Sequence, residues 1–350
     1  LMKTLDEITN VDARVSDMKR DNANIDGNTS MGSMLQIGAA GAKNYNAAHL
    51  LTDEQAKAYL EGDIHIHDFD FYSLTTTCTQ IDIIKLFKGG FSTGHGVIRE
   101  PQGIQSYAAL AAIAIQSNQN DQHGGQSIPN FDYGLAQGVA KTFVKLYEVR
   151  LTEALEDVLG SDNESDVAKE VIQRATEATG NKPRLERNEK QFDTFVVEEL
   201  IGRCGLDYST AKHLVATTRR RATKQTEHDT YQAMEGFVHN LNTMHSRAGA
   251  QTPFSSINYG TDTSPEGRMV IRNILLATDA GLGNGETCIF PIHIFKVKEG
   301  VNYNEGDPNY DLFRLSCKVS AKRLFPNFVF LDSPFNLQYY KPGHPETEVA

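Results

Sequence analysis

The sequence predicts an α/β fold with largely parallel strands. Three short apolar runs, at residues 252–258, 287–295 and 327–332, have the length of buried strands. Helical patterns separate them, one capped by Ser264 with Pro265 at its first position and one at about 312–323. Strands alternating with helices pair in parallel, since a helical crossover carries the chain back to the same end of the sheet. At 350 residues, with 39% hydrophobic and 23% charged residues, the chain suffices for one large α/β core or two ordinary domains.

Taken in order, residues 1–60 read as a polar, mostly helical segment. Turn signals fall at Asp26-Gly27-Asn28 and Met31-Gly32-Ser33. Thr52 with Gln55 three residues on marks a capped helix that Gly62 ends. The remainder, 61–350, reads as the α/β part. Asp63-Ile-His-Ile-His-Asp68 alternates with the period of a strand, and the β-branched run 75–81 reads as a second strand. Glycines punctuate 89–103. The Ala-rich stretch 104–117 is a helix, either a core helix or one in subunit contact.

Residues of about 150–220 form an acidic helical insertion, with loops at 160–166 and 179–183. A helix over 229–246 buries Tyr231, Met234, Phe237, Val238, Leu241 and Met244 at three- and four-residue steps. Arg219-Arg220-Arg221 reads as a solvated helix end. Gly281-Leu-Gly-Asn-Gly285 lacks the lysine of a phosphate loop and reads as a helix C-cap leading into a strand.

Composition narrows the function. A formal charge of −11 argues against nucleic acid as a partner. The longest uncharged stretch, 101–120, is too rich in Gln, Ser and Asn to span a bilayer, and no signal-peptide pattern opens the chain. The four cysteines, Cys78, Cys204, Cys288 and Cys317, show neither metal-site nor disulfide spacing, so a cytoplasmic location is expected. Leu1-Met2 is the start expected of a trimmed chain or of an internal piece of a longer reading frame.

Candidate chemistry falls in a few clusters. His65 and His67 would share one face of a strand, and with His293 and Asp332 they could form the metal site of a hydrolase. The other reading is a hydrogen-bonded His and Asp cluster. Cys78 faces either core or cavity. His123-Gly-Gly-Gln-Ser127 offers a glycine turn whose N–H groups can meet an anion, and residues 253–258 add hydroxyl and amide donors at a strand end.

Several strings carry a family resemblance. They are Asn118-Gln-Asn-Asp-Gln-His-Gly-Gly-Gln-Ser-Ile-Pro-Asn130, Gly-His-Gly (94–96), Asn-Thr-Met-His (242–245), Gly306-Asp-Pro-Asn-Tyr-Asp311 and Ala321-Lys-Arg-Leu-Phe-Pro326. Together they resemble the anaerobic (class III) ribonucleoside-triphosphate reductases of the glycyl-radical superfamily, from about residue 22 to 350. The resemblance implies a ten-stranded α/β barrel of two halves, of which this chain would supply roughly the first. It implies reduction of ribonucleoside triphosphates to deoxyribonucleotides by thiyl and glycyl radicals, with formate as electron source in many members. A radical-SAM iron–sulfur activating enzyme, a structural zinc, nucleoside triphosphate effectors and a homodimer come with it.

Carried over residue by residue, Cys78 matches the barrel-strand cysteine that works opposite the thiyl. His65, His67 and Asp68 match a string near the active cavity, in a role of polar contact or proton handling. Gly124, Gly125, Gln126, Ser127, Ser255, Ser256 and Asn258 match substrate-binding segments. Glu100, Gln116 and Lys145 match the neighbourhood of an effector site. None of these implies a metal held by this chain. Cys288 and Cys317 read as packing residues. The thiyl cysteine, the radical glycine, the four-cysteine zinc site and an N-terminal regulatory domain have no counterpart in these 350 residues. The expectation is therefore that the chain alone is inactive and exposes apolar surface. The remaining alternative is a nucleotide-binding or dimerising module without catalysis.

Overall fold

The computed structural model describes residues 2–9, 29–72, 77–161, 164–185, 190–247 and 251–348. Helices α1 (Met2–Thr9), α2 (Ser30–His49) and α3 (Asp53–Glu61) come first. Next are β1 (Thr79–Gln80), α4 (Ile83–Phe87), and the paired strands β2 (Phe91–Ser92) and β3 (Val97–Ile98). Helix α5 (Ile104–Asp121) leads into β4 (Gln126–Ile128). The long helices α6 (Phe131–Leu159), α7 (Ser165–Thr179), α8 (Lys190–Cys204) and α9 (Tyr208–Thr243) follow. The chain then alternates through β5 (Ser255–Tyr259), α10 (Pro265–Ala280), β6 (Ile292–Val297), α11 (Tyr310–Arg323), β7 (Asn327–Phe330) and the short α12 (Pro334–Leu337).

These elements divide into two compact units. The first comprises Leu1–Gln80, Ala114–Ser127 and Leu241–Ser255, and the second Ile81–Ile113, Ile128–Asn240 and Ser256–Ala350. In the first unit, the capping box foreseen at Thr52 and Gln55 starts α3, and Gly62 ends it at φ +85°. Thr29 caps α2 by accepting the Gly32 N–H at 3.0 Å, so Met31-Gly32-Ser33 is helical and not a turn. Asp26-Gly27-Asn28 lies outside the described residues. The alternating residues 63–68 do not form a strand. They run as turn and loop into a 3-10 turn at Phe69–Phe71, whose Phe69 carbonyl accepts from buried Asn46 of α2. β1 pairs in parallel with β4, Thr79 opposite Gln126 and Gln80 opposite Ser127. It is shorter than the strand expected over 75–81.

In the second unit, β5, β6 and β7 are parallel, with Tyr259 opposite Phe295 and Val297 opposite Phe330. α10 and α11 are the intervening crossovers, so the α/β expectation holds. α10 starts as foreseen, with Ser264 accepting the Gly267 N–H and Pro265 at the first turn. β6 begins only after Pro291, later than its apolar run suggested, because proline has no N–H to give the ladder. Gly281 caps α10, but loop, not strand, follows it.

Helices α6 to α9 share a core of Phe143, Tyr147, Leu151, Leu155, Phe192, Val196 and Leu214. The helix expected over 229–246 is the end of the 36-residue α9. Met234, Phe237, Val238 and Leu241 are buried as expected, whereas Met244 lies beyond the helix and is exposed. Arg219 is mid-helix, not at an end. It pairs with Asp193 at 2.6 Å and lies over the rings of Phe143 and Tyr147.

Candidate active site around Cys78

The first unit gathers Cys78 and the His123-Gly124-Gly125-Gln126 turn. Cys78 is not mid-strand. It immediately precedes β1, is exposed, and holds φ +54°, a left-handed conformation that costs a non-glycine residue about 1–2 kcal/mol. The turn supports that conformation. Cys78 donates its backbone N–H to the His123 carbonyl at 3.3 Å, Thr79 donates to the Gly125 carbonyl at 2.9 Å, and Gly125 returns its N–H to the Cys78 sulfur at 3.4 Å. The Thr77 hydroxyl lies 3.5 Å from the same sulfur. Gly124 sits so close that a Cβ there would meet Cys78 N and Sγ at 2.9 Å.

An amide framework holds the turn. Gln119 donates to the carbonyls of Gln122 and Gly124, both at 3.1 Å, and accepts the Phe254 N–H at 3.0 Å. Gln126 is buried, takes a bond from Asn118 and gives its backbone N–H to Phe254 at 2.8 Å. Gln126 therefore helps to position the turn from inside. Nε2 of His123 lies 3.8 Å from Asp68, and its ring stacks on Phe71 at 4.4 Å. Asp68 is itself left-handed, at φ +49°. His67 approaches its other oxygen at 3.6 Å. His65 and His67 are exposed with ring centroids 6.0 Å apart. Burial lowers the Arg247 pKa, and the charge of Asp68 opposes that shift. Phe71 and Arg247 are site neighbours that no local pattern marked, and His123 was marked only as the first residue of its glycine turn.

The other expected residues are placed separately. Ser127 is half-buried in β4. Ser255 is buried and donates to the Pro253 carbonyl at 3.2 Å. Ser256 is half-buried in β5, and Asn258 is buried with a side-chain oxygen that has no partner. In the second unit Glu100 accepts from Gly89 at 3.0 Å and pairs with Lys141 at 2.6 Å, and the Lys141 bond lowers its pKa. Lys145 is exposed one turn further along α6, and Gln116 is half-buried in the first unit's part of α5.

The hydrolase reading loses its ligands. The Thr278 hydroxyl gives its proton to the Ile274 carbonyl, so it accepts from His293 Nε2, and Nδ1 accepts from the Tyr259 hydroxyl at 3.0 Å. Asp332 takes Lys298 and the Glu299 N–H, each at 2.7 Å. Both residues are committed to protein partners. Among the described residues no group of three or more His, Cys, Asp or Glu could hold a metal ion. Cys288 is buried, though in a loop, and burial raises its pKa; Cys317 is exposed on α11, not core.

A mixed α/β protein with an exposed thiol beside a glycine turn is the class these features define. The family model for anaerobic ribonucleoside-triphosphate reductase matches residues 21–348, and the chain belongs to that family. The anaerobic ribonucleoside-triphosphate reductase of Salmonella typhimurium is 28% identical over 294 residues, covering 83% of this chain and 33% of its own length. That of Enterobacteria phage T4 is 27% identical over 316 residues, covering 89% and 42%. The chain thus spans about a third of the length of the bacterial relative. A crystal structure of the anaerobic ribonucleotide reductase from Thermotoga maritima in complex with dATP and CTP matches with a TM-score of 0.48 at 11% identity, over 87% of this chain and 43% of that one. No helix of the described residues is long and apolar enough to cross a membrane.

Proposed function

We propose that this chain takes part in the anaerobic reduction of ribonucleoside triphosphates to 2′-deoxyribonucleoside triphosphates, with Cys78 as its reacting thiol. The family match over residues 21–348 carries this reading. The exposure of Cys78 at a strained, glycine-packed position supports it. Strain held by surrounding structure is characteristic of functional positions.

The family's radical chemistry would supply removal of the ribose 3′ hydrogen, after which the 2′ hydroxyl leaves as water and formate or a thioredoxin-like protein returns the electrons. The residues of this chain orient the reactants. The Gly125 N–H holds the Cys78 sulfur in one direction, and the Gln119 and Asn118 amides keep the turn from relaxing. The half-buried hydroxyl of Ser127, in the same unit as Cys78, is available to ribose or phosphate oxygens.

An effector nucleotide is proposed near Glu100 and Lys145 of the second unit, in a cytoplasmic homodimer activated by a radical-SAM partner. The four cysteines here do not fit the structural zinc, since they are not gathered at one place among the described residues, and no step is assigned to it.

The test is Cys78→Ala in a reductase preparation that carries the radical-forming segments as well as these residues. Deoxynucleotide formation should fall on the order of a thousandfold or more while ribonucleotide affinity stays within about twofold. Turnover at the unsubstituted rate overturns the assignment.

A further inference from the structure

The peptide between Gly124 and Gly125 is held from one side and used from the other. Its carbonyl accepts a side-chain N–H of Gln119 at 3.1 Å and one of Gln126 at 3.4 Å, while its N–H donates to the Cys78 sulfur at 3.4 Å. The peptide is trans, so the two groups point to opposite sides, and whatever holds the oxygen aims the hydrogen. Both glutamines are buried. Gln119 is itself fixed, since its oxygen takes the Phe254 N–H at 3.0 Å and its nitrogen also reaches the Gln122 carbonyl at 3.1 Å. Asn118 orients the Gln126 amide by donating to its oxygen. A glycine pair has no side chains to stop such a plane from turning over. Reversed, the peptide would present its carbonyl oxygen to the sulfur in place of the N–H.

We propose that Gln119, assisted by Gln126, is a positioning residue for Cys78: it locks the Gly124–Gly125 peptide in the orientation that gives the sulfur a hydrogen-bond donor. An N–H directed at sulfur stabilises negative charge there, and negatively charged sulfur is the nucleophilic form. A carbonyl that already accepts hydrogen bonds also makes the N–H of its own peptide a stronger donor. Both glutamines act through the backbone. The use of this thiol in turnover rests on the function proposed above, whereas the aiming of the peptide stands apart from it.

The direction of the effect separates this role from simple support of the fold. Gln119→Met keeps the bulk and removes the donor. Loosening alone leaves an exposed thiol as reactive as before or more so, whereas loss of the aimed N–H makes it less reactive. Iodoacetamide labelling of the folded chain at about pH 7, with each cysteine followed by peptide mass, measures this. Cys78 alkylation should slow about threefold in Gln119→Met, by less in Gln126→Met, and by at least the Gln119→Met factor in the double variant. Cys317 of the second unit, also exposed, should keep its rate and serves as the internal reference. Asn46→Leu breaks a buried bond to the Phe69 carbonyl elsewhere in the first unit and should leave the Cys78 rate unchanged. An unchanged or faster Cys78 in Gln119→Met, or an equal slowing in Asn46→Leu, overturns the proposal.

The Gly125 amide tests the same point with both glutamines in place, so the proposal stays open to refutation even where Gln119→Met does not fold. In nitrogen–proton NMR, Cys78→Ala removes the acceptor, and the Gly125 proton should move upfield and exchange with solvent several-fold faster. An unmoved resonance overturns the proposal. The two assignments also fail separately. Slowed alkylation in Gln119→Met together with full turnover in Cys78→Ala removes the reductase role of the thiol and supports the aimed peptide. Unchanged alkylation together with lost turnover in Cys78→Ala does the reverse.

Discussion

The Cys78 sulfur receives the Gly125 N–H at 3.4 Å, and the two can approach because Gly124 beside them has no side chain. A Cβ at Gly124 would meet Thr77 Oγ1 at 2.5 Å and Cys78 Sγ at 2.9 Å, at a φ of +83°. Gly62 has nearly the same φ, +85°, but a Cβ there would meet nothing within 4 Å. The pair separates backbone strain from crowding. Gly62→Ala should destabilise the chain by about 1–2 kcal/mol, the left-handed penalty alone. Gly124→Ala adds overpacking and should reach about 2–5 kcal/mol. Urea unfolding of both measures this, and equal losses would show that Gly124 does not pack on Cys78.

Thiol exposure gives a second expected outcome. Cys78 and Cys317 are exposed, Cys204 is half-buried and Cys288 is buried. Burial raises the pKa of Cys204, Cys288 and Cys317 alike, which keeps these sulfurs in the less reactive thiol form. A chromogenic disulfide reagent should therefore titrate Cys78 in the fast phase and Cys288 only on unfolding. Cys78→Ser should remove one equivalent of that phase. A fast phase of unchanged size in Cys78→Ser would place the thiol away from solvent.

Local signals were legible in the sequence where their causes are local. Thr52 with Gln55, and Ser264 with Pro265, start helices by contacts within four residues, and each did so in the structure. Residues 63–68 had the alternation of a strand, but a strand needs a neighbour, and the segment turns into Phe69–Phe71 instead. Cys78 was placed wrongly as a strand interior, because its left-handed φ depends on His123 and Gly125, more than forty positions away. His123 drew no separate notice, since its distinction is an unpaired nitrogen that only the packing of Phe71 and Asp68 creates. Arg219 looked like a solvated charge run and is held by Asp193 from another helix.

A buried ion pair in the second unit gives a third prediction. Lys296 of β6 is fully buried and donates to Glu348 at 2.9 Å and to the Pro129 carbonyl at 3.3 Å, while Thr261 donates to the same Glu348 oxygen at 2.9 Å. Lys296→Met removes the cation and leaves the Glu348 charge enclosed, a loss of about 3–5 kcal/mol. Adding Glu348→Gln removes the stranded charge and keeps an acceptor for Thr261, so the double variant should regain most of that loss. Urea melts of the two variants decide it. A double variant no more stable than the single one would mean that the pair is not enclosed as described.

Acid stability distinguishes two buried groups of opposite sign. Burial pushes the pKa of His293 from its ordinary 6.5 down to about 3. Between those values the unfolded chain binds a proton that the folded chain refuses, so stability present above about pH 6.5 is lost as pH falls, by about 1.4 kcal/mol per unit. Asp262 moves the other way. Burial and the neighbouring Asp132 carboxylate raise it from 3.8 to about 6. Here the folded chain binds the extra proton, so stability falls as pH rises through that window, at a similar rate. From about pH 6 to 4 the two offset each other in the unsubstituted chain. His293→Gln removes the first effect, and relative to the unsubstituted chain its stability should gain on acidification across that range. Asp262→Asn removes the second and should lose stability steadily from about pH 6.5 downward. The measurement is the unfolding free energy in urea at each pH for all three proteins. Because the surface carboxylates are common to them, the differences report these two groups alone, and three parallel curves would show that neither titrates as its burial requires.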